Sequence, residues 1–130
     1  MPIVRIEDSV VRTGQEKAAT VARLFRVLKA VLGVPDEELQ ARYIQHAKED
    51  FFAPKGSGGN YIGIEITLFS GRSTNTKRRL YNLITMELST FLAVDAEDII
   101  IVLNEQPTEN WGLHGGVAGC DMDLGYAIAV

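Results

Sequence analysis

The sequence begins with a short stretch, residues 2–7 (PIVRIE), that has a counterpart 60 positions later at residues 62–69 (IGIEITLF). Both are rich in β-branched residues, which is typical of β-strands. When the sequence is shifted against itself by 60 residues, Val4 falls on Ile64 and Ile6 on Ile66. The apolar positions then stay in phase through a following helix and a second strand. The sequence therefore predicts a tandem repeat.

The first half of the repeat predicts a strand, a helix and a strand. Thr13 and Glu16 fit a capping box at the start of the helix. Apolar residues then recur at three- and four-residue steps, as on one face of an amphipathic helix. Gly33 can end this helix in a left-handed conformation, and Pro35 prevents its continuation. Residues 39–46 are predicted to form the second strand.

The second half repeats this plan after a glycine-rich connector at residues 54–60. Ser73 is the predicted N-cap of its helix. Residues 99–103 (IIIVL) are apolar at consecutive positions, which predicts a strand buried on both faces. The predicted single domain thus comprises repeat halves at 1–55 and 61–116, followed by a C-terminal tail at 117–130.

Two such units side by side predict an α+β fold. Right-handed crossovers would place both helices on the same face of one four-stranded sheet. The opposite face would then be bare, and a soluble monomer rarely exposes a large apolar face. We therefore expect a closed homo-oligomer in which copies of the chain cover this face.

Composition narrows the classes of function. The chain has 130 residues and a net charge of −4, and its longest basic run is residues 77–79, which argues against nucleic acid as a partner. Cys120 is the only cysteine, so the sequence predicts neither a disulfide framework nor a thiolate metal site. No secretory signal or membrane-spanning run is apparent, and we expect a cytoplasmic protein.

Pro2 is the most unusual candidate for chemistry. Removal of Met1 would expose a secondary amine attached directly to a strand, which no internal residue can supply. In an apolar pocket beside a cation, such an amine becomes less basic and can exchange protons near neutral pH. The alternative is that a proline at this position serves only efficient removal of Met1.

The pattern of Met1-Pro2-Ile3-Val4-Arg5-Ile6 followed by the repeat resembles the tautomerase superfamily. A second stretch, Ser70-Gly71-Arg72-Ser73, together with residues 94–103 and 109–112, looks like the double-length branch near malonate semialdehyde decarboxylase. The resemblance implies a homotrimer, a small carboxylate substrate, and a proline at the base of a pocket near a subunit boundary. It implies no metal ion and no organic cofactor.

The resemblance also assigns roles to individual residues. Pro2 would be the general base and acid, and Arg72 would hold a substrate carboxylate and stabilise an enolate. The alternative for Arg72 is a structural ion pair or a solvated turn residue. Ser70 stands where the decarboxylase has an arginine, so it can offer one hydrogen bond but no charge.

Two further residues are assigned by alignment with that branch. Glu38 matches an acid before the second strand and could orient a water or tune the proline, although a solvated carboxylate is an equal alternative, and Glu37 lies next to it. Trp111 matches a tryptophan that forms an apolar wall over the substrate, or else packs at an interface. His46, His114 and Cys120 are interpreted as structural, the cysteine as buried or inert.

Three functions remain open at this point. The first is a cofactor-independent tautomerase acting on a small enol or 2-oxo carboxylic acid. The second is a malonate semialdehyde decarboxylase-like or hydratase-like enzyme that uses the same proline. The third is a trimeric binding protein with a vestigial pocket.

Overall fold

A computed structural model describes all residues, 1–130, and contains one four-stranded sheet with two long helices. The chain order is β1 (Pro2–Asp8), α1 (Gly14–Leu32), β2 (Gln40–Gln45), β3 (Ile62–Phe69), α2 (Thr74–Leu92) and β4 (Ile99–Gln106). The strand order across the sheet is β2-β1-β3-β4, with parallel outer pairs and an antiparallel central pair. The predicted α+β fold of two β-α-β units is confirmed.

Both helices begin at the predicted caps. Thr13 Oγ1 accepts a hydrogen bond from the Glu16 amide at 3.1 Å, and Glu16 Oε1 accepts one from the Thr13 amide at 2.8 Å, which completes the capping box. Gly33 ends α1 with φ 69°. Ser73 caps α2, but this helix ends at Ala93, a non-glycine residue with φ 53°.

The main core lies between the helices and one face of the sheet. β1 and β3 contribute Val4, Ile6, Ile64 and Ile66, each at most 1% exposed. Burying each such side chain contributes about 1.5–3 kcal/mol. The helices complete this layer with Leu24, Leu28, Leu80, Ile84 and Leu88.

No helix covers the other face of the sheet in the single chain. β4 is an edge strand whose residues alternate between half-buried and exposed. Ile100 is 46% exposed and Val102 is 42% exposed. The expectation that this strand is buried on both faces is therefore wrong for one copy of the chain, because both helices pack against the same side.

The connections differ little from prediction. β2 is one residue shorter at each end than the predicted 39–46. The connector at 54–60 turns through a hydrogen bond from the Ser57 amide to the Pro54 carbonyl and leads into β3, not into a helix. After β4, β5 (Gly112–Leu113) and β6 (Val117–Ala118) form a small antiparallel pair. Neither long helix is apolar enough over a sufficient length to cross a bilayer.

One end of the sheet collects most of the candidate residues. Because β1 and β3 are antiparallel, the start of β1 lies beside the end of β3, with Pro2 opposite Leu68. The start of β2 lies at the same end, where Gln40 pairs with Ile3. The end of β4 is there as well, since Gln106 pairs with Phe69.

A candidate active site at one end of the sheet

Arg72 is a buried cation with an open hydrogen-bonding edge. It follows β3 after Gly71, whose φ of 136° is accessible mainly to glycine. Arg72 is 5% exposed, and its Nη1 donates to the Phe69 carbonyl at 2.8 Å. Nε and Nη2 have no hydrogen-bond partner. These two nitrogens form the side of the guanidinium that can hold a carboxylate through two parallel hydrogen bonds.

The surroundings of Arg72 favour an incoming anion. Burial lowers the pKa of its guanidinium, while Tyr126 and Glu105 oppose that shift. Each unsatisfied buried donor costs about 1–3 kcal/mol. A carboxylate placed on Nε and Nη2 would accept hydrogen bonds from both donors. It would also place a negative charge next to the buried guanidinium.

The amino end of the chain lies beside Glu38 and Tyr126. The Met1 ammonium donates to Glu38 Oε2 at 2.9 Å and to the Tyr126 hydroxyl at 3.2 Å. Pro2 is buried at the start of β1. The structure thus brings the carboxylate of Glu38 to the start of β1, where removal of Met1 would expose the proline nitrogen.

Glu38 and Glu37 differ in position. Glu38 ends the short 3₁₀ turn Asp36–Glu38 before β2, and its side chain is 19% exposed, whereas Glu37 is exposed. The second oxygen of Glu38, Oε1, lies 3.7 Å from Nε2 of His114. His114 sits in the turn between β5 and β6 with φ 40°. Of the two neighbouring acids, only Glu38 contacts the amino end.

Tyr126 is a residue of the candidate site that sequence reasoning missed. It lies in the glycine-rich tail, where neither hydrophobic periodicity nor a motif distinguishes it. Burial raises the pKa of its hydroxyl; Arg72 opposes this shift and Glu38 adds to it. The hydroxyl is therefore close enough to both Arg72 and Glu38 for their charges to affect its pKa.

Trp111 belongs to a small second core at the same end. Its ring meets Phe69 edge-on with centroids 5.0 Å apart, and it is 9% exposed. Its Nε1 donates to the Gln106 carbonyl at 3.4 Å. The other apolar residues around Phe69 and Trp111 are Leu113, Met1, Ile3, Met122, Leu124, Tyr126 and Ile128.

Ser70 carries no charge, so it does not provide a second cation beside Arg72. Its amide donates to the Gln106 carbonyl at 2.9 Å, and its side chain is half-buried. Lys77, in the first turns of α2, is another cation, but its Nζ lies 2.5 Å from Glu105 Oε1. Because this ion pair uses the lysine charge, Arg72 is the cation with an unused binding edge.

The remaining sequence candidates lie apart from this cluster or make only weak contacts. His46 Nε2 is 3.8 Å from Glu7 Oε1. Cys120 is exposed, so of the two alternatives for this cysteine, buried or inert, the first does not apply. No group of three or more His, Cys, Asp or Glu side chains is arranged to hold a metal ion.

Comparisons with known proteins agree with this fold. The family model for tautomerase enzymes matches residues 39–114. The FG41 malonate semialdehyde decarboxylase structure is 22% identical with a TM-score of 0.79, covering 88% of this chain and 91% of that chain. A second malonate semialdehyde decarboxylase structure is 18% identical with a TM-score of 0.77, covering 88% and 92%.

A fused 4-OT solved as a symmetric trimer is also similar. It is 21% identical with a TM-score of 0.82, and the match covers 91% of this chain and 96% of that chain. The family match spans more than half of the sequence, and these structures share the tandem fold along nearly their whole length. The chain therefore belongs to the tautomerase family of enzymes and has the double-length fold of fused 4-OT and malonate semialdehyde decarboxylase.

Proposed function

We propose that this chain is a cofactor-independent tautomerase of small enol or 2-oxo carboxylic acids, with Pro2 as general base once Met1 has been removed. The observation that carries the proposal is the open edge of Arg72, a buried cation with two unpartnered donors. Glu38 and the start of β1 lie at the same end of the sheet. Membership in a family of tautomerases adds the reaction class.

The proposed reaction moves one proton within the substrate. The substrate carboxylate binds Nε and Nη2 of Arg72. The nitrogen of Pro2 removes the proton of the 2-hydroxyl group, which produces an enolate, and the protonated proline then delivers that proton to C3. The products are a 2-oxo acid and a free proline nitrogen, so atoms and charge balance.

Arg72 and Glu38 have opposite effects on the proline. A nearby cation and an apolar environment disfavour the ammonium form, whereas the carboxylate of Glu38 favours it. Together, the two effects would give the proline nitrogen an intermediate basicity. A group that first accepts a proton and then returns it needs such a basicity. Trp111 and Phe69 would provide the apolar wall of the substrate site.

We further propose that the working protein is a homotrimer. The uncovered sheet face carries the exposed apolar side chains Ile100 and Val102. The similar fused 4-OT is a symmetric trimer. A second and third copy would cover this face and enclose the substrate site near a subunit boundary.

Ketonisation of phenylenolpyruvate tests the proposal. Loss of Met1 is first verified by intact mass. Pro2→Ala is then expected to lower kcat/KM by about 10²–10⁴-fold, since it removes the general base. Pro54→Ala, in the exposed connector, is the matched control and should keep the wild-type rate. Equal rates for wild type and Pro2→Ala would overturn the proposal and favour a binding protein with a vestigial pocket.

A decarboxylase or hydratase acting on a 3-oxo acid is the second candidate, favoured by the fold shared with two malonate semialdehyde decarboxylases. Ser70 and the Lys77–Glu105 pair leave only one free cation, which argues against this reaction. Incubation with malonate semialdehyde should therefore yield acetaldehyde slowly or not at all. Rapid, Pro2-dependent release of acetaldehyde would establish the decarboxylase instead.

A further inference from the structure

The end of the chain, residues 122–130, lies across the turn that carries Arg72. We call it the tail strap. A backbone oxygen of Val130 accepts hydrogen bonds from Ser73 Oγ, at 3.1 Å, and from Thr76 Oγ1. The Ile128 carbonyl lies so close to Gly71 that a Cβ at this glycine would be 3.0 Å away. The tail strap is thus anchored to both sides of Arg72.

Tyr126 is the polar side chain that the tail strap brings to the site. Its ring packs against the main core and also against the small core around Phe69 and Trp111. Its hydroxyl oxygen accepts a hydrogen bond from the Met1 nitrogen at 3.2 Å. A tyrosine hydroxyl can accept and donate at once, and no protein group takes the Tyr126 proton. A donor therefore remains available on a tail residue that lies near enough to Arg72 to affect the pKa of its guanidinium.

We propose that Tyr126 determines substrate specificity by donating a hydrogen bond to the 2-oxygen of a monoanionic 2-oxo or 2-enol acid whose carboxylate lies on Arg72. This inference rests on the proposed function, because it places that substrate in the same site. It adds a residue from the tail strap and restricts the substrate to a single carboxylate.

The charges around the site support a monoanion. Arg72 is the cation there with two unused donors, since Lys77 is paired with Glu105, and the ammonium that pairs with Glu38 leaves with Met1. A second substrate carboxylate would find no free cation and would approach Glu38 or Glu105. At about 4 Å and an effective dielectric constant of 20, two like charges repel by about 4 kcal/mol.

The protonation state of Tyr126 agrees with a donor role. Burial raises the pKa of its hydroxyl above the ordinary value of 10.0. The phenol therefore keeps its proton throughout the neutral range. It supplies a hydrogen bond to an oxygen that carries partial charge, without adding a full charge to the site.

Binding to the Pro2→Ala protein tests this inference without turnover. Titration calorimetry compares phenylpyruvate with 3-phenylpropanoate, which lacks the 2-oxygen. Phenylpyruvate should bind roughly 3–10-fold more tightly, as expected for one net hydrogen bond. With Tyr126→Phe added, the ring packing is kept and the two Kd values should converge. Tyr81→Phe is the matched control and should preserve the difference.

A second ligand pair tests the charge argument. 2-Oxopentanoate and 2-oxopentanedioate differ by one carboxylate, and the monoanion should bind at least about tenfold more tightly. An unchanged preference for phenylpyruvate in Tyr126→Phe, or a preference for the dianion, would overturn the inference. Failure of the proposed function appears separately, as equal ketonisation rates in wild type and Pro2→Ala, because these binding measurements need no catalysis.

Discussion

Arg12 and Arg72 occupy equivalent positions 60 residues apart, yet only Arg72 keeps an open hydrogen-bonding edge. Arg12 Nε donates to Asp8 Oδ2 at 3.0 Å, and the Tyr43 hydroxyl donates to the same oxygen at 2.5 Å. The residue equivalent to Asp8 in the second half is Leu68. An internal carboxylate therefore occupies the first arginine, while the second has only the Phe69 carbonyl.

This difference predicts opposite effects of one substitution at the two positions. Arg12→Met leaves the fully buried Asp8 without its cation, and we expect a loss of about 3–5 kcal/mol in the free energy of unfolding. Arg72→Met removes two unsatisfied buried donors, so its stability should be equal to or greater than that of the wild type. Its kcat/KM for phenylenolpyruvate should fall by at least about 100-fold, because the substrate carboxylate loses its partner.

Urea unfolding and ketonisation kinetics measure the two effects. Arg72→Lys keeps the charge but not the two-nitrogen edge, and its activity should lie well below that of the wild type. A strongly destabilised Arg72→Met protein would show that this arginine is structural and would contradict the assignment.

Glu38 should set the acid limb of the pH–rate profile. In Glu38→Gln, the negative charge next to the amino end is lost, and the proline ammonium gives up its proton more readily. The acid limb of kcat/KM should move to lower pH by about one unit. Glu37→Gln is the matched control, since that side chain is exposed, and its profile should overlay the wild type. If the pH–rate profiles of the wild type, Glu38→Gln and Glu37→Gln coincide, Glu38 does not affect the protonation of the proline.

The uncovered sheet face should mediate assembly. Ile100→Glu places a charge at an apolar side chain that is 46% exposed in the single chain, and it should convert the proposed homotrimer to monomers in analytical ultracentrifugation. Val11→Glu changes an apolar residue that is 82% exposed on a loop and should leave the sedimentation coefficient unchanged. A monomeric wild type would refute the trimer directly.

Tyr43 should make the fold sensitive to alkali. Burial raises the pKa of its hydroxyl above 10.0, and the hydrogen bond to Asp8 raises it further. Above pH 10, the unfolded chain releases this proton while the folded chain retains it. The stability contribution is therefore complete below pH 10 and falls as the pH rises, by up to about 1.4 kcal/mol per pH unit.

Tyr43→Phe removes this dependence. The variant should lose about 1 kcal/mol near neutral pH, where the hydrogen bond to Asp8 is missing. Its stability should then decline less steeply than that of the wild type between pH 10 and 12, as followed by urea unfolding at each pH. Tyr81→Phe, which loses no contact with a carboxylate, should keep the wild-type slope.

Local sequence determined the elements and their order. The strand at Ile62–Phe69 and the caps at Thr13 and Ser73 depend on neighbouring residues, so periodicity and capping chemistry indicate them directly. The 60-residue repeat then restricted the topology, because right-handed crossovers leave few arrangements of two β-α-β units. The position of Pro2 behind Met1 made it a candidate for chemistry, and the resemblance to tautomerases added Arg72.

Only the tertiary structure decided which of these groups are available for chemistry. Tyr126 is hydrogen-bonded to Met1, which is 125 positions away in the sequence. Local periodicity cannot indicate a contact between residues so far apart. The two repeated arginines look alike in sequence, yet Arg12 is bonded to Asp8 and Arg72 is open. The reason is physical: hydrogen-bond satisfaction depends on all the groups that folding brings within about 3 Å, and these come from every part of the chain.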